Sequence, residues 1–245
     1  MIAIGTEERA LRRRRPIQVS DATFHKGEWM ETGEDPRLSP TVFLAEQPPH
    51  YSLGTHFHRQ NQFQLFVAGS GTLGPERVDP VTVHYAGAST GYGPLRADAE
   101  GIKYFTIRPV FDTGFIPASE AREKMVRGPK RHAQVTLGAP WGEDRLVGLA
   151  DAEDRFALPA DRGLAVRHVR LPPTVACELG HVEVSIGLFV FVLSGTATVA
   201  GSTLGRWESA FATADERLVL TAGARGVEVV VLHVPPTEPE YRPGK

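Results

Sequence analysis

The residues best suited to chemistry lie in one stretch, THFHRQNQFQLFVAGSG, residues 55–71. Side chains along a β-strand alternate between its faces, so a regular strand puts His56, His58, Gln60, Gln62, Gln64 and Phe66 together. Two imidazoles at i and i+2 point the same way and can reach one metal ion at about 2.0 to 2.1 Å. Gln62, on that face, adds a neutral amide oxygen. This donor set brings no negative charge, so a divalent ion should bind more weakly than it would with a carboxylate. If the face points into a core, its amides need partners, because each one left unpaired costs about 1 to 3 kcal/mol.

A second stretch, GIKYFTIRPV at 101–110, reads as a strand with Ile102, Tyr104, Thr106 and Arg108 on one face. Should that face line an interior, Tyr104 becomes a pocket hydroxyl and Arg108 an anchor for a carboxylate; otherwise Arg108 pairs on a rim. His84 and His50 could each add an imidazole, although a histidine beside a turn is expected at the surface or in a hydrogen bond. His168, His181 and His233 read as structural, and Trp141 and Trp207 as packing residues. The sequence has no Gly-rich phosphate loop, no GxSxG and no Cys/His nucleophile pair.

The elements that must position these groups are strands. The chain has 245 residues, 41% hydrophobic, with a formal net charge of −2, which is the composition of a folded protein without the basic excess of nucleic-acid or anionic-membrane binders. Its 25 Gly and 19 Pro cut it into short Val/Ile/Phe/Thr-rich runs, the pattern of an all-β sandwich or barrel. Arg12–Arg15 is followed by Pro16 rather than an apolar run, so it is expected to be a solvated N-terminal arm, not an export signal. The single cysteine, Cys177, forms no internal disulfide, and a reducing cytoplasm is the expected compartment. No apolar run approaches the ~18 to 20 residues of a membrane span. Residues 117–126 read as one helix, stopped at Gly128-Pro129.

The halves on either side of that helix are alike. EQPPHYSLGTHFHRQNQFQLFVAGSGTLG and RLPPTVACELGHVEVSIGLFVFVLSGTATVAG each run from Pro-Pro through a polar stretch to a strand ending in Gly-Ser-Gly-Thr or Ser-Gly-Thr. Each continues to a closing strand, GIKYFTIRPV or GVEVVVLHVP. Two copies of one β unit are expected.

The pattern His56-x-His58-xxx-Gln62-xxxxxx-Gly69 resembles the first motif of the cupin superfamily, with Gln62 where glutamate is usual. That family's second motif has its best counterpart at Tyr85-Ala-Gly-Ala-Ser-Thr90, with Thr90 in the histidine position and Tyr92 two residues on. In the second copy the matching positions are Val182, Val184 and Leu188; a one-residue slip brings His181 and Glu183 to the first two. The resemblance implies two tandem double-stranded β-helix (jelly-roll) barrels: an N-terminal arm and first strands at 1–36, a site-bearing barrel at 37–116, helix and linker at 117–160, a degenerate barrel at 161–238, and a tail at 239–245.

It further implies one divalent metal ion (Fe, Mn, Zn or Ni) held by His56, His58 and Gln62. Tyr92 or Tyr104 would move a proton, and Gln60, Gln64 and Arg108 would bind a small oxygenated substrate. Isomerase, lyase, hydrolase and dioxygenase chemistries are known on the scaffold, and the fold does not choose among them. Two alternatives stay open: a metal-free binding or sensing module, and a structural protein without a site. A homodimer acting on a small molecule, with neither nucleic acid nor membrane as partner, is expected.

Overall fold

A computed structural model describes residues 1–19, 21–112 and 114–242. The chain forms two compact β units, one made of Glu8–Gly138 with the described tail from Thr237, the other of Ala139–Pro236 with Met1–Glu7.

In the first unit the antiparallel order is His132–Thr136, Thr82–Ala86, Gln62–Leu73, Leu95–Arg108, Thr41–Gln47, Ala22–Glu31 and Arg15–Val19. The inward face of this curved sheet buries Phe24, Ala45, Phe66, Leu95, Ile102 and Tyr104. Pairing of Phe63 with Ile107 and of Gln64 with Thr106 sets the register. Because side chains alternate, Gln62, Gln64, Tyr104, Thr106 and Arg108 all enter the same interior.

The second unit runs Ile2–Gly5, Ser209–Thr213, Gly187–Val199, Val219–Val234, Leu164–Leu171 and Glu153–Asp161. Its interior holds Val169, Leu188, Val190, Val229 and Val231, all buried. The repeat is visible in the backbone. Gly69 (φ 70°) lies against the Gly101 carbonyl so closely that a Cβ would collide with it, and Gly195 (φ 75°) stands in the same way against Gly226. Leu188 pairs with His233 in this unit, where the first unit has Gln62 and Arg108. One barrel lays polar groups across its interior at the level where the other lays Leu188 beside a histidine.

Several expectations need correction. In the stretch 1–36, expected as an arm and first strands, Ile2–Gly5 pairs with Ser209–Thr213 in the second unit, Glu7–Arg13 is helical, and Arg15–Val19 and Ala22–Glu31 are strands of the first. An edge strand presents unpaired N–H and C=O groups, and Ile2–Gly5 satisfies those of Ser209–Thr213. The Arg12–Arg15 run is anchored at its end, with Arg14 on Glu46 at 2.7 Å and Arg15 on Glu28 at 2.9 Å.

The helix expected at 117–126 is realised only as a 3-10 turn at Ala118–Glu120 and one α turn at Ala121–Lys124, with Pro117 drawn into a strand against His56. Neither piece buries a residue, and a helix this short without tertiary packing does not extend. The strand expected through residues 56–66 is interrupted: His56–Phe57 pairs with Ile116–Pro117, and the long strand starts at Gln62. Between them the chain bends to hold a neighbouring loop, the His58 carbonyl accepting from Ser89 N at 2.7 Å and Asn61 Oδ1 from Ala88 N at 3.0 Å. Residues 181–184 of the second copy lie in a turn, outside any strand.

Candidate functional site

The interior of the first unit contains a cavity of about 250 Å³. Gln62 and Gln64 enter it from one strand and Tyr104, Thr106 and Arg108 from the next; His56 comes from the short strand His56–Phe57, and His58 and Tyr92 from loops. The backbones of His56 and Tyr92 bond each other in both directions, at 3.1 and 3.0 Å. That bridge sets the Tyr92 ring 4.5 Å from the His56 ring and 5.0 Å from that of His84.

One polar chain organises the site. Arg108 Nε donates to Gln62 Oε1 at 2.8 Å, and Gln62 Nε2 donates to the Tyr92 hydroxyl at 2.6 Å. Arg108 Nη1 reaches the Asp112 carbonyl at 3.3 Å. Its Nη2 lies 3.1 Å from His58 Nδ1, which is also 3.0 Å from the Gly114 carbonyl. A single ring nitrogen cannot accept from one and donate to the other. With Nδ1 accepting from Arg108, His58 presents Nε2–H to the cavity; with Nδ1 donating to Gly114, it presents a lone pair. His56 is less ambiguous: Nδ1 donates to the Gly54 carbonyl at 2.8 Å, leaving Nε2 as an acceptor. Neither Nε2 has a hydrogen-bond partner among the described residues.

Burial sets the charges. Desolvation lowers the pKa of His56 to about 4, helped by His58 and Arg108, and desolvation followed by the Arg108 charge lowers that of His58. Both imidazoles are neutral near pH 7. Burial also lowers the Arg108 pKa, while the facing Asp112 works to raise it. For Asp112 burial opposes ionisation, but His58 and Arg108 outweigh it and hold the carboxyl at about 2. Desolvation raises the pKa of both Tyr92 and Tyr104, so these phenols stay protonated and act as donors, not bases.

The fold brings His56, His58, Gln62, Gln64, Tyr92, Tyr104 and Arg108 to one cavity. It does not bring Gln60, which lies in the bend before the long strand and outside the cavity lining. His50 is exposed, and His84, expected at the surface or in a hydrogen bond, is buried and bonds Gln64 Oε1 at 3.1 Å. Thr90 accepts from Arg131 N at 3.1 Å. Sequence reasoning missed Asp112, Lys26, Phe43 and the wall formed by Ile17, Val19 and Phe24. The alternation Ile17-x-Val19 was the available signal for that wall.

As arranged, the donors do not fit a divalent ion. Among the described residues no three of His, Cys, Asp or Glu converge as ligands. The Gln62 oxygen already accepts from a guanidinium that is only 5% exposed. A divalent charge on that oxygen would be repelled by the guanidinium beside it. The one nearby carboxylate, Asp112, stands 3.7 Å behind His58, on its Nδ1 side.

No protein-family model matches the sequence, and no curated protein matches it either. Solved structures do match its fold. A putative dioxygenase from Nostoc punctiforme superposes with a TM-score of 0.59 at 11% identity, over 97% of this chain and 81% of that one. The oxalate decarboxylase of Bacillus subtilis gives 0.60 at 12% identity, over 92% and 75%.

The chain has the two-barrel cupin fold.

A third structure of similar fold is the Escherichia coli pirin YhhW, solved with nickel(II), at a TM-score of 0.57 and 11% identity over 97% of this chain and 100% of that one. Identities this low speak for the bicupin fold alone, and the chemistry has to come from the cavity. Among the described residues no helix is long and apolar enough to cross a membrane.

Proposed function

We propose that the N-terminal barrel binds a small oxygenated anion, a carboxylate or an enolate, without a metal ion. Arg108 is the anchor, and neutral His56 and His58 supply proton acceptance or donation. The observation that carries this reading is the buried Arg108 guanidinium, held by Gln62 Oε1 at 2.8 Å with the cavity in front of it. Of its five N–H groups, three face Gln62, Asp112 and His58, leaving one on each terminal nitrogen for a carboxylate. Tyr92 and Tyr104, kept as phenols, are further donors to the anion. An anion bound here would raise the histidine pKa values, since the nearby Arg108 charge is one of the causes depressing them. His56 Nε2 would then be a better proton acceptor with ligand than without.

A second reading has a divalent ion on His56, His58 and Gln62, acting as a Lewis acid on the substrate. Its support is that both Nε2 atoms are open to the cavity. It requires Gln62 and Arg108 to part. Metal analysis of protein purified without a histidine tag separates the two, with the His56→Ala/His58→Ala variant as control. Less than one-tenth equivalent of Fe, Mn, Zn or Ni after loading, together with a thermal shift on adding carboxylates, supports the anion reading. Stoichiometric metal lost in the double variant overturns it in favour of the second.

A further inference from the structure

The cavity has two unlike ends. Arg108, His56, His58, Gln62, Gln64 and Tyr92 gather at one. The rest of the lining holds an apolar group, Ile17 and Val19 from the strand Arg15–Val19, Phe24 and Ala45 from its neighbours, with Leu53 and Phe115, beside the polar Arg15, Lys26, Tyr104 and Thr106. Phe115 is 38% exposed and meets the His56 ring edge-on at 5.3 Å. A large aromatic left partly in water beside a polar cluster gains most when an apolar ligand body covers it. Phe43 lies between the ends as a ledge, with Lys26 Nζ 4.3 Å from its ring and the Arg108 guanidinium 5.6 Å from it.

Charge has the same polarity. The lining carries Arg15, Lys26 and Arg108 against the single carboxylate Asp112, and Glu28 beyond it answers Arg15 and Lys26 together. One positive charge is in excess. Size is the third constraint: a cavity of about 150 Å³ accommodates benzene, so about 250 Å³ takes a six-membered ring, a carboxylate and a short link between them.

We infer that the ligand of this barrel is an amphipathic monocarboxylate, an aryl or branched-alkyl acid of about ring size, with its carboxylate on Arg108 and its apolar body against Ile17, Val19 and Phe24. This rests on the anion reading above and narrows it. A two-carbon diacid would leave the apolar wall in contact with water and would set a second charge against it.

The test is calorimetric titration and thermal shift of the intact protein with benzoate, phenylacetate, hexanoate, acetate, oxalate and benzamide. Benzoate or phenylacetate is expected to bind at least tenfold more tightly than acetate or oxalate, and benzamide at least tenfold more weakly than benzoate. Phe115→Ser and Ile17→Asn, both at partly exposed positions, should each remove the preference of benzoate over acetate. Acetate or oxalate binding as tightly as benzoate overturns the ligand class and leaves the anion reading standing. Benzamide equal to benzoate, or binding that survives Arg108→Gln in a variant that melts cooperatively, overturns both.

Discussion

Arg108 and Gln62 are joined by a 2.8 Å hydrogen bond from guanidinium Nε to amide Oε1, in the interior of a barrel whose neighbours in fold include a nickel complex. A resident organic cation thus stands on an oxygen that the cupin resemblance assigned to a metal ion.

Arg108→Met tests that relationship directly. Removing the guanidinium frees the Gln62 oxygen and the field that opposes a divalent ion. Nickel or manganese affinity, read by calorimetry, should rise at least tenfold over the parent, while carboxylate binding falls by a similar factor. Stability should drop by about 1 to 3 kcal/mol in urea, because Gln62 loses a buried partner.

Gln62→Glu replaces a neutral acceptor by a carboxylate facing Arg108. The charge-assisted bond is stronger, so the melting temperature should rise. The guanidinium is then neutralised from behind, and benzoate affinity should fall at least tenfold in titration. An unchanged affinity would mean that Arg108 is not the anchor.

Gly69→Ala and Gly195→Ala should each lower stability by at least about 2 kcal/mol. Both glycines have positive φ, and in each a Cβ meets a glycine carbonyl of the adjacent strand. Urea unfolding measures the loss; similar values at the two positions would match the repeat.

Acid sensitivity follows from His84 and His233. Desolvation lowers each to about 3, with His132 and His56 contributing at His84, and Arg167 and His181 contributing at His233, where Asp154 opposes. An unfolded histidine titrates near 6.5, so between about pH 6.5 and 3 the unfolded chain binds more protons. Stability is therefore full above pH 6.5 and falls as pH drops through that window, by up to about 1.4 kcal/mol per pH unit for each histidine. Melting temperatures at pH 7.5, 6 and 5 should decline in the parent, and the decline should be shallower in His233→Leu.

The two-barrel β fold was legible because its signals are local. Gly69 and Gly195 stand at irregularities inside the long strands Gln62–Leu73 and Gly187–Val199, and positive φ there is a property of one residue and its neighbours. The 117–126 helix failed for the complementary reason. Propensity favoured it, but none of its helical residues is buried, and burial is not local. Pairing Ile2–Gly5 with Ser209–Thr213 joins ends of the chain that no short-range pattern connects.

For the site, the sequence alone determined which groups exist and that Tyr104 and Arg108 share a strand face. Tertiary structure decided which groups meet. The register between Gln62–Leu73 and Leu95–Arg108 carries Arg108 to Gln62, the bend at His58–Asn61 removes Gln60, and the strand Arg15–Val19 closes the apolar wall. The physical reason is that a strand's alternation is set by its own backbone, whereas a cation's position relative to an amide depends on cross-strand register, which only the folded sheet specifies.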